Sequence, residues 1–249
     1  MGVLQGRTAL VTGASRGIGR AIAERLGRDG ARVAVHYGSS EAAAKETVAA
    51  IEAAGGSAFA LRAELGVQGD AEALWEAFDR AADGVDVLVN NAGAATFATI
   101  AETDEETYDR ALAVNARAPF FIVKHGLRRL RDGGRIVNVT AATDHGIPAI
   151  AATHMAKGAV TALTRSLAVE LAPRGITANS VAPGFVDTDL TAGVLADPAL
   201  RAYAEGVSAF GRVGTPEEVA DVVAFLASPD SRWVTGQHID ATGGAHLAL

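Results

Sequence analysis

Short β-branched runs alternate along this chain with longer, alanine-rich stretches in which apolar residues recur every three or four positions. The short runs predict strands over Thr8–Thr12, Arg32–His36, Ser57–Leu61, Asp86–Asn90, Arg135–Thr140, Ile176–Ala182 and Gln237–Asp240. The amphipathic stretches predict helices near 17–28, 40–54, 68–82, 103–130, 149–172 and 215–227. Val87-Leu88-Val89 and Ile136-Val137 are apolar on successive residues, as strands covered on both faces require. Repeated strand–helix alternation implies a parallel sheet with right-handed crossovers. The expectation is one doubly wound (Rossmann-type) α/β domain spanning 1–249.

Several helix ends are written locally. Thr215-Pro216-Glu217-Glu218 offers an N-cap, a proline at the first helical position and a glutamate three residues past the cap. Thr103-Asp104-Glu105-Glu106 predicts a similar box starting at Thr103. Val160, Leu163, Leu167 and Leu171 share one face of the fifth helix. The stretch 188–214 breaks the alternation, which predicts an insertion over the active site rather than a second domain.

Composition narrows the function classes. A formal charge of −7 argues against a nucleic-acid backbone or an anionic membrane as partner. With no cysteine, disulfides, thiolate chemistry and cysteine metal sites are excluded, and no metal site is expected. No apolar run approaches the roughly 20 residues that span a bilayer. Met1 leads at once into a polar turn and a strand, so the expected location is the cytoplasm.

The first strand runs into Thr12-Gly13-Ala14-Ser15-Arg16-Gly17-Ile18-Gly19 and then a helix. Glycines there let backbone N–H groups and a helix N-terminus approach a pyrophosphate, so Gly13, Ser15, Gly17, Ile18 and Gly19 form the candidate phosphate turn. NAD sites place an acid about 20 residues further on, to hold the ribose 2′-hydroxyl. This chain has His36-Tyr37-Gly38-Ser39-Ser40 there and no acid before Glu41. Arg16 can pair with a 2′-phosphate, with His36, Ser39 and Ser40 completing that end of the site. NADP(H) is the predicted cofactor.

With these motifs, Asn90-Asn91-Ala92-Gly93, Asn115, Lys157, Pro183-Gly184, Thr188 and Gly236-Gln237…Gly243-Gly244 follow in order. The chain resembles the short-chain dehydrogenase/reductase family over essentially its whole length, and within it the 3-oxoacyl-[acyl-carrier-protein] reductases. The resemblance implies that Asn91, Ala92 and Gly93 line the cofactor crevice and that Glu64 lies near the adenine. It implies that Pro183, Gly184 and Thr188 hold the nicotinamide, that Lys157 holds the ribose, and that Asn115 holds a water linking Lys157 to solvent. It also implies a homo-oligomer, tetramer or dimer, joined through the helices at 103–130 and 149–172. Phe120, Phe121, Val123 and Val169 supply apolar positions there beyond one buried face.

The resemblance fails at its centre. The family places a tyrosine four residues before the lysine, on the same helix face, as the proton donor. Here that residue is Thr153, in Thr153-His154-Met155-Ala156-Lys157. An aliphatic alcohol is shorter and does not ionise near neutrality. The family's serine position falls on Ala141 in Thr140-Ala141-Ala142-Thr143, and the following loop is one residue short, with the deletion between Val139 and Gly146. Thr140 or Thr143 is therefore a candidate to hold a substrate oxygen. Candidates for the proton are His154, His145, Tyr203, water and the substrate itself.

Two readings follow. One is an NADP(H)-dependent carbonyl reductase or alcohol dehydrogenase with a non-standard proton donor and a small apolar or aromatic carbonyl substrate. That substrate class is read from Leu190, Val194, Leu195, Leu200, Tyr203 and Phe210 in the insertion. The other is a protein that keeps fold and cofactor but not redox chemistry, acting as a binding partner or as a catalyst of cyclisation, dehydration or isomerisation.

Overall fold

The computed structural model describes residues 2–142, 149–245 and 247. Its strands are β1 (Thr8–Val11), β2 (Arg32–Tyr37), β3 (Ser57–Arg62), β4 (Val85–Asn90), β5 (Leu130–Val139), β6 (Thr177–Pro183) and β7 (His238–Ala241). They form one seven-stranded sheet in the order β3-β2-β1-β4-β5-β6-β7, every pair parallel. The order reverses between β1 and β4, where Val11 pairs with both Val35 and Val89. In open α/β sheets such a switch point opens a crevice at the strands' carboxyl ends, where ligands bind.

Alternation of side chains sorts the core into two layers. Ala9, Val11, Val87 and Val89 face one way, against helices α1 (Gly17–Arg28) and α9 (Pro216–Ala227). Leu10, Leu88 and Ile136 face the other, against α3 (Asp70–Asp79), α5 (Ala118–Gly126) and α6 (Ala151–Glu170). Because both faces are covered, successive residues of β4 are all buried, which is why its central Val87-Leu88-Val89 run is apolar without a break. Tight helix contacts need glycine: a Cβ at Gly126 would lie 2.4 Å from the Trp75 ring, whose Nε1–H donates to the Ile122 carbonyl at 2.8 Å.

The elements match the expected ones closely, with informative exceptions. The stretch 103–130 is three pieces rather than one helix: α4 (Glu105–Leu112), a π-helical turn (Ala113–Arg117) and α5. Pro119, lacking an N–H, lies at the start of α5, and the extra residue per turn lets Asn115 bury its amide. The cap of α4 is Asp104, accepting from the Thr107 N–H at 2.8 Å, and Thr103 instead donates to the Thr99 carbonyl. The box at α9 forms as expected, with Glu218 accepting from the Thr215 N–H at 2.8 Å. Between β6 and α9, the stretch 188–214 carries α7 (Ala192–Leu195) and α8 (Pro198–Val207). The remaining helix, α2 (Glu41–Ala53), follows β2.

Candidate active site

The crevice at the β1/β4 switch point is built by close backbone approach. Gly13 (φ +64°) touches the segment after β4, so that a Cβ on it would lie 2.9 Å from the Ala92 Cα. A Cβ on Gly19 would lie 2.1 Å from the Gly13 carbonyl oxygen and 2.4 Å from the Asn91 amide. Asn91 Nδ2 donates to the carbonyls of Thr12 and Gly13 at 2.9 and 3.2 Å. Thr12, which the motif reading passed over, ties the two segments: its hydroxyl oxygen accepts from the N–H groups of Asn91 and Ala92, both at 3.0 Å. Its only sequence signal is its place just before the first glycine.

The N-terminus of α1 has neither a capping side chain nor an acidic residue in its first turn. Helices α4, α8 and α9 instead start on Asp104, Asp197 and the Thr215/Glu218 box, α2 and α3 carry acids in their first turn, and α6 shares both absences with α1. Free N–H groups and the positive end of the helix dipole therefore face the crevice beside Ser15 and Ile18, an arrangement that suits a phosphate. Arg16 is exposed at this end. Ser39 and Ser40 are exposed beyond β2, and Glu64 is exposed just past β3. Arg62, not singled out from the sequence, donates from Nε to the Gly38 carbonyl at 3.2 Å and brings a second guanidinium to the loop of Ser39 and Ser40. Nothing in its local sequence marks it; the β2–β3 register, Tyr37 opposite Arg62, places it there.

His36 corrects one expectation, since its ring does not reach out toward a cofactor. It is buried, Nδ1 accepts from the Gly13 N–H at 3.0 Å, and Nε2–H donates to the Ala63 carbonyl at 3.0 Å. With both nitrogens engaged, the ring braces the glycine turn from below. Burial pushes its pKa down to about 4, so it stays neutral.

At the carboxyl ends of β4 and β5 lies a second cluster. Lys157 is buried, its ammonium donating to the Val139 carbonyl at 2.8 Å, and desolvation pushes its pKa down to about 8. Asn115 Nδ2 donates to the carbonyls of Ala94 and Ala111 at 2.8 and 2.9 Å, and Oδ1 accepts from the Ala94 N–H at 3.2 Å. A Cβ on Gly93 would sit 2.7 Å from Asn115 Oδ1 and 3.3 Å from Lys157 Nζ. The Asn115 side chain thus clasps the segment after β4. Pro183 and Gly184 end β6, where the Gly184 N–H donates to the Ala241 carbonyl at 3.2 Å. Thr188 lies on the other side of the crevice, where a Cβ added to Gly17 would come within 3.5 Å of its side chain.

The hydroxyls expected at the reacting end are placed differently. Thr140 is buried and donates to the Val181 carbonyl at 3.2 Å, so it does not offer its hydroxyl to a substrate. Thr143 and His145, with Gly146, Ile147 and Pro148, lie outside the described residues. Thr153 accepts from the Thr96 N–H at 3.2 Å, and the two hydroxyl oxygens are 3.0 Å apart. His154 is half-buried on the next helical position, and burial lowers its pKa. Tyr203 of α8 packs its ring edge-on against Phe185, centroids 6.1 Å apart. Among the apolar residues of the insertion, Leu195 is buried and belongs to the packing of α7, while Leu190, Leu200 and Phe210 are exposed. Phe97 and Ile100, in the segment that carries Thr96, and Met155 on α6 are exposed apolar residues that the sequence did not single out.

A switch-point crevice with a glycine turn, an uncapped helix end and a buried lysine defines a dinucleotide-binding enzyme of the doubly wound class. A family model described as enoyl-(acyl carrier protein) reductase matches residues 13–246, and the chain belongs to the short-chain dehydrogenase/reductase family. It is 48% identical to the angucycline C-6 ketoreductase LanV, solved with bound NADP, with a TM-score of 0.95 over 99% of this chain and 98% of that one. It is similar to the reductase LugOII, which catalyses keto-reduction at C1 during lugdunomycin biosynthesis: 49% identity, TM-score 0.92, over 97% and 98% of the two chains. It is also 42% identical to a hydroxynaphthalene reductase-like protein of Metarhizium brunneum, over 97% of this chain and 96% of that one. None of the helices among the described residues is long and apolar enough to cross a membrane.

Proposed function

We propose that this chain is a cytoplasmic, NADPH-dependent carbonyl reductase for apolar aromatic ketones, in which a hydroxyl of the substrate or a water, not a tyrosine, supplies the proton. The observation that carries the reading is the buried Lys157 beside Gly93 and Asn115. Stripping a cation of water costs several kcal/mol, a cost that a scaffold without a ligand has no reason to bear. The glycine turn and the α1 N-terminus would hold the pyrophosphate, with Arg16, Ser39 and Ser40 on the 2′-phosphate. Lys157 would hold the ribose, and Pro183, Gly184 and Thr188 the nicotinamide end. NADPH, when bound, supplies the hydride. The carbonyl oxygen of the substrate would take its proton from a neighbouring phenol, which water would restore.

Aromatic substrates are supported by the exposed Phe97, Ile100, Met155 and Leu190, and by similar proteins named for a hydroxynaphthalene and for angucycline keto-reduction. The insertion at 188–214 would close over the ring system. We also propose a homo-oligomer, dimer or tetramer, through α5 and α6, where Phe120 and Val169 are exposed. Val123 is not part of that face: it is buried in the core, and Phe121 packs against the same cluster.

The test is NADPH oxidation with 8-hydroxy-1-tetralone and with activated quinones, followed at the reduced nicotinamide band. Turnover is expected; failure to bind NADPH in calorimetry would sink the reading. The engaged hydroxyl of Thr140 favours a second reading, cofactor binding without redox chemistry, which predicts NADPH binding with no oxidation. Thr153→Tyr with Ala141→Ser is expected to raise reduction of simple ketones by about 10²-fold, the usual worth of a positioned proton donor.

A further inference from the structure

Thr153 lies on α6 four residues before Lys157, yet its hydroxyl does not follow the habit of the other buried helix threonines. Thr47, Thr161 and Thr164 each donate back to the carbonyl one turn earlier. The equivalent carbonyl for Thr153, that of Ala149, instead accepts the Ala98 N–H at 2.8 Å. Thr153 turns to Thr96 across 57 residues of sequence, accepting its N–H and sharing one bond between the two hydroxyls.

The hydrogen-bond count of this pair is independent of which hydroxyl donates. Two O–H groups and four lone pairs are present, and one O–H and two lone pairs are used by the mutual bond and the Thr96 N–H. One O–H and two lone pairs are left over, with no further partner among the described residues. Thr153 is at the edge of burial, Thr96 is partly open, and exposed Phe97 follows Thr96 directly in sequence. A pair that both donates and accepts beside apolar surface suits a flat ligand with a carbonyl oxygen and a hydroxyl side by side on one edge, as at peri positions.

We propose that Thr96 and Thr153 form a two-hydroxyl clamp on the oxygen-bearing edge of a hydroxy-ketone, so that Thr96 is a substrate-contacting residue selecting phenolic ketones over plain ones. The clamp rests on the ketoreductase reading for its substrate class, but binding tests it separately from turnover.

Wild type, Thr96→Val and Thr96→Ser, each saturated with NADP⁺, are titrated calorimetrically with 8-hydroxy-1-tetralone, and NADPH oxidation by the same ketone is followed in parallel. Loss of one neutral hydrogen bond is expected to weaken binding to Thr96→Val by about five- to tenfold. Thr96→Ser keeps the hydroxyl and is expected to stay within about twofold of wild type, with NADP⁺ affinity equal in all three. The clamp is overturned if Val binds the tetralone like wild type, if Ser loses as much as Val, or if wild type does not bind it. Unchanged binding and turnover in Thr96→Val would leave the ketoreductase standing without the clamp. Weakened binding in Thr96→Val, with no NADPH oxidation by wild type, would leave the clamp standing without the ketoreductase.

Discussion

At the scale of single residues, the chemistry turns on charge and on what each hydroxyl already does. Arg16 is the exposed cation within the glycine turn, and no acid stands at the end of β2 to hold a 2′-hydroxyl. Arg16→Ala is therefore expected to weaken NADPH binding by about tenfold, an exposed charge-assisted contact being worth about as much as a neutral buried one. NADH binding, which lacks the 2′-phosphate, should be unchanged; equal loss for both cofactors in fluorescence titrations would remove Arg16 from that role. Thr140 teaches the opposite lesson. A hydroxyl that looks available in the sequence is committed to β6, because β5 ends one residue before it and its side chain turns back to the sheet.

At the scale of elements, the glycine turn is a junction of three strands. Gly13 at the end of β1 donates to His36 at the end of β2, and His36 donates to Ala63 just past β3. Protonating this ring would break the bond from Gly13. The folded-state pKa of about 4 lies below the ordinary value of 6.5, so the unfolded chain takes up a proton first as the pH falls. Stability is expected to be lost between pH 6.5 and about 4, by up to about 3 kcal/mol from this group. His36→Asn can still accept from Gly13 without titrating, so its urea unfolding should depend less on pH over that window. Equal pH dependence in both proteins would show that His36 is not the titrating brace. The π turn around Asn115 is the comparable device on the other side of the crevice, trading helical regularity for three hydrogen bonds from one buried amide.

At the scale of the molecule, α5 and α6 cover one face of the sheet and present outward surface with Phe120 half exposed and Val169 79% exposed. A charge there disturbs no core contact, so Val169→Glu should change monomer stability by no more than about 0.5 kcal/mol. If α6 is a subunit interface, the same substitution shifts the protein to a smaller species in light scattering. An unchanged mass, whatever the state of assembly, would take the interface away from this face.

Much of the fold was legible because it rests on local periodicity. Strands buried on both faces carry apolar runs such as Val87-Leu88-Val89 and Ile136-Val137, helices carry one stripe, and a glycine turn between them marks the phosphate end wherever the chain is read. The absence of a tyrosine four residues before Lys157 is likewise plain from spacing alone. What tertiary structure decided are the partners. His36 was placed at the cofactor but braces Gly13, Arg62 reaches the loop of Ser39 and Ser40 only through strand register, and the long fourth helix breaks where Asn115 finds Ala94. Thr153 finds Thr96 because the segment after β4 folds back across α6. Each of these bonds joins residues at least 21 positions apart, brought together by the order of strands in the sheet, and no window of sequence contains both ends of such a bond.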